Sequence, residues 1–439
     1  METDKSRPDI AYITAGAGGM ICGSCLHDNT LARALNRIGV QAVLVPTYTP
    51  IRTDEHSVSV DRVFFGGINV FLQQRVPLFR VLPQSLVKWL DSPWLIRRAT
   101  SRPSAISGRF LGALTVSMLK GLAGNQRREV LRLSQWLKSS LRPRMIVLTN
   151  MLIAGAAPCL KQELGVPLLV TLQGDDIFLD SLVEPYRSEA MREIRRLVPF
   201  VDGFLVHSRF YAEHMREYLG IPDDKIRLVP LGIDTSEFPR PGDRPARSLA
   251  DGATIGYLAR LAPEKGLHLL VDAFLELRQR AGMDKVRLRI AGWLGGDQDE
   301  YASAQFDKLR KAGLEDEFRY EGAVERAGKL DLLRSIDVFS VPTTYREPKG
   351  LSILEALAAG VPVVQPAHGA FPEMIAELGG GLLVAPNDAS SLADALQCIL
   401  VDDARRLELG RQGAESVHRR CNAETMARET WSVFQEFLP

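Results

Sequence analysis

Short runs of aliphatic and β-branched residues recur along the chain. Each is closed by glycine, aspartate or serine and followed by a stretch with apolar residues at helical spacing. In the first half these runs are Asp9-Ile-Ala-Tyr-Ile-Thr14, Val40-Gln-Ala-Val-Leu-Val45, Met145-Ile-Val-Leu148, Pro167-Leu-Leu-Val-Thr171, Gly203-Phe-Leu-Val-His207 and Ile226-Arg-Leu-Val-Pro230. In the second half they are Thr254–Ala259, Val286–Ala291, Phe318–Gly322, Val338–Val341, Val361–Val364 and Gly381–Val384. Apolar runs of this length alternating with helical periodicity predict βαβ units and parallel sheets covered on both faces. Between the two series, residues 231–245 hold three prolines and two glycines in fifteen positions, which reads as a linker or hinge. The chain therefore reads as α/β, with two doubly wound domains joined near residue 240. Ligands of such sheets bind at the carboxyl ends of the strands, so a cleft between facing sheets is the expected site.

Residues 62–125 break the rhythm. They combine Phe64, Phe65 and Phe71 with Trp89, Trp94, Arg97 and Arg98, and then a glycine-flanked apolar run from Gly108 to Gly121. This reads as a helical insertion covering a cleft, or as a peripheral membrane surface. At 439 residues, two domains are the expectation. A formal net charge of +1, with 24% charged residues, offers no footprint for nucleic acid. Five cysteines do not make a disulfide framework in so long a chain, and the polar start at Met1–Pro8 is not a signal peptide; a cytoplasmic setting is expected.

The densest chemistry lies between Ser340 and Pro366, where Glu347 and Glu355 stand eight positions apart around Lys349, Gly350 and a helix start. Two carboxylates bracketing free backbone N–H groups suit a ligand with hydroxyls at both ends and a diphosphate between them, as in a nucleotide sugar. Glu355 has a second reading, since Ser352-Ile-Leu-Glu355 is by itself a capping box. Arg260 closes the first strand of the second series, and Lys265 sits at the next helix start, where a cation opposes the helix dipole unless an anion is near. The alternative is a solvated lysine balanced by Glu264. The glycines Gly16, Gly18 and Gly19 follow the first strand and let backbone approach a phosphate or sugar, but they lack the dinucleotide spacing. Cys22-Gly-Ser-Cys25 with His27 has no second Cys/His pair for zinc and reads as structural or substrate-lining. Asp297-Gln-Asp299 looks like a metal motif but lacks partners.

Together these passages resemble the retaining glycosyltransferases of family 4, which have the GT-B fold. The matching passages are the glycine loop 16–19, Val229–Phe238, Arg260-Leu-Ala-Pro-Glu-Lys265-Gly266, Tyr320-Glu-Gly322-Ala-Val324, and Glu347 to Glu355 running into Ala-Leu-Ala-Ala-Gly-Val-Pro-Val. The resemblance implies an acceptor-side domain over 1–238, a donor-nucleotide domain over 239–420, and a helix over 421–439 returning to the first domain. It implies that Arg260 and Lys265 hold the diphosphate, Glu347 meets the donor sugar and Glu355 binds ribose. The amides of Gly350, Leu351 and Ser352 would face phosphate and sugar, Gly18 and Gly19 would approach the donor, and Gly322 and Val324 would lie near the base. No cofactor or catalytic metal is implied; the nucleotide-diphosphate sugar is a co-substrate, and the acceptor would be a glycan, lipid or small molecule.

Three positions depart from the family pattern. Asn150 and Gln173 stand where many relatives carry histidine; they can donate hydrogen bonds to acceptor hydroxyls but cannot act as bases. Lys349 replaces the usual phenylalanine, as a loop lysine or as a partner for a carboxylate on the sugar. The expected activity is transfer of a hexose-type sugar. A GT-B epimerase or phosphorylase, and a silent nucleotide-sugar binder, are the rival readings.

Overall fold

The structure is a computed structural model; it describes residues 7–16, 23–49, 51, 53–60, 63–76, 78–81, 107–244, 249, 252–296 and 298–439. It divides into two compact units, 1–230 with 426–439 and 231–425.

The first unit holds a six-stranded parallel sheet in the order β2-β1-β3-β4-β5-β6. Its strands are β1 (Ile10–Thr14), β2 (Ala42–Pro46), β3 (Met145–Leu148), β4 (Leu168–Thr171), β5 (Gly203–Val206) and β6 (Ile226–Leu228). β1 to β5 are buried almost throughout, as expected of strands covered by helices on both faces. The strand order reverses between β1 and β3, so the segments following these two strands diverge to opposite sides and leave a crevice at their carboxyl ends.

The described part of 62–125 belongs to this unit. Phe64, Phe65 and Val70 enter its core. In the helix Gly67–Arg75, Asn69 and Gln73 donate to the buried Glu129 carboxylate at 3.4 and 3.1 Å. The helix Gly108–Leu119 lies so close to the helix Tyr186–Leu197 that a Cβ at Gly112 would stand 2.6 Å from Tyr186. These are features of a helical layer packed on the sheet. Trp89, Trp94, Arg97 and Arg98 lie outside the described residues. The terminal helix Ala423–Gln435 continues into this unit, where Arg227 pairs with Glu436 at 2.7 Å and stacks over Phe437.

The second unit repeats the plan as β12-β11-β10-β7-β8-β9. Its strands are β7 (Thr254–Leu258), β8 (Arg287–Ala291), β9 (Phe318–Tyr320), β10 (Val338–Phe339), β11 (Val363–Pro366) and β12 (Gly381–Val384). Numbered within the unit this is the 3-2-1-4-5-6 order of dinucleotide-binding sheets, with the reversal between β7 and β10, paired at Val338–Ile255 and Phe339–Gly256.

The described part of the proline-rich stretch, read from the sequence as a linker or hinge, packs with the second unit, and the two units divide at 230/231. Leu231, Ile233 and Phe238 are buried in its core. Arg326 holds the stretch through Glu237 at 2.7 Å and the Asp234 carbonyl at 3.2 Å, and Arg244 donates to the carbonyls of Leu333 and Ala359. The prolines mark irregular backbone, but three apolar side chains anchor it. The return to the first unit falls inside the last helix, at 425/426.

Candidate functional site

Arg260 and Lys265 follow β7, and Glu347, Lys349 and Gly350 follow β10, so the switch point of the second sheet gathers them. After β7 the chain makes a single turn of 3₁₀ helix over Pro263–Lys265 and then Gly266, which starts the helix Leu267–Arg278. Gly266 has φ 72°, and a Cβ there would lie 1.8 Å from the Pro342 carbonyl oxygen. Only glycine lets the two loops approach so closely, and that approach carries Lys265 to the segment after β10. Glu347 is seated in the same manner from the other side. Gly369, at φ 62°, brings the loop after β11 against the Glu347 backbone, and the Ala370 amide donates to the Glu347 carbonyl at 2.8 Å.

Lys265 donates to Glu347 Oε2 at 2.9 Å, and its ammonium lies 4.7 Å from the centre of the Tyr345 ring. The Tyr345 hydroxyl accepts from Lys265 and donates to the same Glu347 oxygen. Glu347 Oε1 accepts from the amides of Gly350 at 3.3 Å and Lys349 at 3.5 Å. Burial by itself would raise the Glu347 pKa. The Lys265 charge, the Tyr345 hydroxyl and the Gly350 amide outweigh it and hold the carboxyl down to about 2. Lys265 is therefore not balanced by Glu264, which pairs instead with the exposed Arg260 at 2.8 Å.

Glu355 is buried, and Lys329 from the helix Arg326–Ser335 donates to its Oε1 at 2.5 Å. The capping box does not form. Gly350, in the left-handed conformation, is the N-cap of the helix Leu351–Ala358, which puts Ser352 inside the first turn and Glu355 in the second. The Gly350 amide is engaged by Glu347, which leaves the amides of Leu351 and Ser352 in the first turn, where helices lack internal acceptors. Gly322 and Val324 follow β9, the edge strand two places from β7. Gly322 accepts from the Gly292 amide at 2.9 Å, and Val324 packs against the core. Lys349 is buried beside Glu347, not exposed on a loop.

In the first unit, Gln173 follows β4 and Asn150 follows β3. Gln173 Nε2 donates to Asp28 Oδ1 at 2.9 Å and Thr149 Oγ1 at 3.1 Å, and Thr149 donates to Asp28 Oδ2 at 2.5 Å. Asp28, from the helix Gly23–Arg37, is fully buried and also meets His27 Nδ1 at 3.2 Å. The Asn150 Oδ1 is buried with no hydrogen-bond partner among the described residues. Below them Asp175 accepts from the amides of Met151 at 2.6 Å and Gln173 at 3.1 Å; burial pushes its carboxyl up to about 6 despite those two bonds. Gly18, Gly19, Cys22 and Asp297 lie outside the described residues; Cys25 is buried in the helix that follows. Among the described residues, no cluster of three or more His, Cys, Asp or Glu could hold a metal ion, and no helix is long and apolar enough to cross a membrane.

Lys329, Tyr345 and Asp28 escaped the sequence reading. Lys329 looks like one charge on a solvated helix face, and Tyr345 like loop filler. Asp28 stood beside the Cys22–Cys25 pair without drawing notice.

Comparison with known proteins agrees with this layout. Residues 119–237 match the model of Glycosyltransferase Family 4, and residues 243–416 match that of Glycosyl transferases group 1. A D-inositol 3-phosphate glycosyltransferase of Kribbella flavida is 30% identical over 227 residues, covering 50% of this chain and 53% of the relative. A phosphatidyl-myo-inositol mannosyltransferase of Mycobacterium leprae is 33% identical over 218 residues, covering 48% and 55%. The chain thus spans about half the length of these curated relatives. Among solved structures, a sucrose-phosphate synthase of Thermosynechococcus elongatus superimposes with a TM-score of 0.70 at 19% identity, over 98% of this chain and 99% of that one. HepE of Anabaena, in complex with UDP and glucose, gives 0.66 at 17%, over 98% and 100%. At these identities the likeness is one of fold, and that fold is GT-B. With a family 4 segment before a group 1 segment on two such sheets, the chain belongs to the group 1 and family 4 glycosyltransferases.

Proposed function

We propose that the protein is a retaining glycosyltransferase that moves a hexose-type sugar from a nucleotide-diphosphate sugar to a hydroxyl of an acceptor. The observation that carries this is the join of Lys265 and Glu347 at the β7/β10 switch point, beside the first turn of the helix Leu351–Ala358. A diphosphate needs cations and amide donors, and a sugar needs a fixed carboxylate to accept from its hydroxyls. HepE crystallised with UDP-glucose, a donor of this class, shares the fold.

In this reading Arg260 and Lys265 hold the diphosphate and stabilise the charge that develops as the bond from the anomeric carbon to the phosphate oxygen breaks. The acceptor oxygen bonds to the same face of that carbon, and its proton passes to the departing phosphate. No side-chain base is required, which accommodates Asn150 and Gln173 in place of histidines. Glu355, turned by Lys329, receives the ribose hydroxyls. Lys349 lies by the sugar, the amides of Leu351 and Ser352 face the phosphate, and Gly322 and Val324 border the base. Asn150 and Gln173 meet the acceptor. The reaction uses no metal. The setting is cytoplasmic.

The test is release of nucleoside diphosphate from a panel of nucleotide sugars with and without candidate acceptors. Acceptor-dependent release is expected. Glu347→Ala should lower turnover roughly 10²–10³-fold in a protein that is still folded at the assay temperature. Release without acceptor, interconversion of the donor, or wild-type turnover in Glu347→Ala would each overturn the reading.

A further inference from the structure

Glu347 Oε2 has two side-chain partners, and they differ in one respect. Lys265 is the group a diphosphate would attract, whereas Tyr345 is neutral and has no reason to leave. Resting on the donor reading above, we propose that Tyr345 is a positioning residue whose hydroxyl keeps the Glu347 carboxylate aimed at the sugar while Lys265 turns to the diphosphate.

The geometry supplies the reasons. Glu347 is buried, so a loss of its cation leaves a buried carboxylate that must find other donors. Its remaining amide bonds are long, at 3.3 and 3.5 Å, and both reach Oε1. Among the described residues, the Tyr345 hydroxyl alone then stays on Oε2. The same ring lies under the lysine, 4.7 Å from its ammonium to the ring centre, so it gives the cation a surface along which to move. Burial and the neighbouring Glu347 raise the Tyr345 pKa well above its usual value, which keeps the hydroxyl a donor at any working pH. Thr343 fixes the turn by donating to the Tyr345 carbonyl at 3.0 Å.

This division of labour separates two ligands. Binding of a nucleoside diphosphate depends on Lys265, whereas the additional affinity of the nucleotide sugar depends on an aimed Glu347. The experiment measures Kd for UDP and UDP-glucose, ADP and ADP-glucose, and GDP and GDP-mannose, using the pair that the wild-type protein binds most tightly. Tyr345→Phe keeps the ring under Lys265 and removes only the hydroxyl. It should leave the diphosphate Kd unchanged, and weaken the nucleotide sugar and lower kcat by roughly tenfold each, the size of one hydrogen bond to a charged group. Lys265→Met is the counterpart: it should weaken both ligands together, preserving their ratio, because Tyr345 still holds Glu347. Equal weakening of both ligands by Tyr345→Phe would reduce the residue to packing and overturn the proposal, as would wild-type behaviour. Should Tyr345→Phe not fold, loss of the ligand ratio in Lys265→Met would itself contradict the proposal, and its retention would support it. If no nucleoside diphosphate of the ADP, GDP, CDP, UDP and TDP set binds the wild-type protein, the donor reading fails and the proposal fails with it.

Discussion

Both sheets reverse their strand order, yet their carboxyl ends are furnished by opposite means. At the β7/β10 reversal each buried carboxylate has a lysine against it: Lys265 on Glu347 and Lys329 on Glu355. At the β1/β3 reversal the carboxylate of Asp28 is held by the hydroxyl of Thr149, the amide of Gln173 and a histidine. Asp175, among the described residues, is held by backbone amides. The first arrangement can exchange its internal ions for those of a charged ligand. The second presents neutral donors and a carbonyl, Asn150 Oδ1, that suit uncharged hydroxyls. Two parallel sheets of different strand order each supply a crevice at a reversal, and side-chain charge decides what each crevice can hold.

The sharpest way to break this contrast is to strip one ion from the second unit. Lys329→Met strands a buried glutamate and should destabilise the protein by roughly 3–5 kcal/mol in urea unfolding. Adding Glu355→Leu should restore most of that loss. A cost near zero for the single substitution would mean that Glu355 reaches water, and the contrast would fail. The matching change in the first unit is smaller. Thr149→Val removes one neutral donor from Asp28 and should cost about 1–3 kcal/mol, because the amide of Gln173 remains.

Acidity separates the units more gently. Glu347 has its pKa lowered, so its stabilising share is complete above the usual carboxylate range and is lost as pH falls toward 2. Asp175 has its pKa raised, so the folded protein binds that proton more tightly than the unfolded chain, and its share of stability is lost as pH climbs from about 4 to about 6. Wild type compared with Asp175→Asn should therefore gain on the order of 1 kcal/mol at pH 4.5 relative to pH 7. The same comparison for Glu347→Gln should show the opposite sign between pH 4.5 and pH 2.5. Equal signs would contradict the environments assigned to the two carboxylates.

Much of the architecture was legible in the chain because the apolar runs are short, β-branched and regularly spaced, and each expected run became a strand. Arg260, Lys265, Glu347 and Glu355 were legible because their spacing around glycines is local. Lys329 was not, since its meaning comes from Glu355, twenty-six positions away. Ser352 misled for a related reason: a capping box is a local pattern, but Gly350 in its left-handed conformation had already started the helix. The prolines of 231–245 misled because composition records turns, not the burial of Leu231, Ile233 and Phe238 around them.

The central claim is that the lysine-bearing switch point of the second unit receives the nucleotide diphosphate and the switch point of the first unit does not. It is tested most directly by the thermal midpoint of the full chain across ADP, GDP, CDP, UDP and TDP, in wild type, Lys265→Ala and Asn150→Ala. A ligand that binds only the folded state raises the midpoint. The account predicts a rise with at least one diphosphate, abolished in Lys265→Ala and intact in Asn150→Ala. A rise that survives Lys265→Ala and disappears in Asn150→Ala would contradict it.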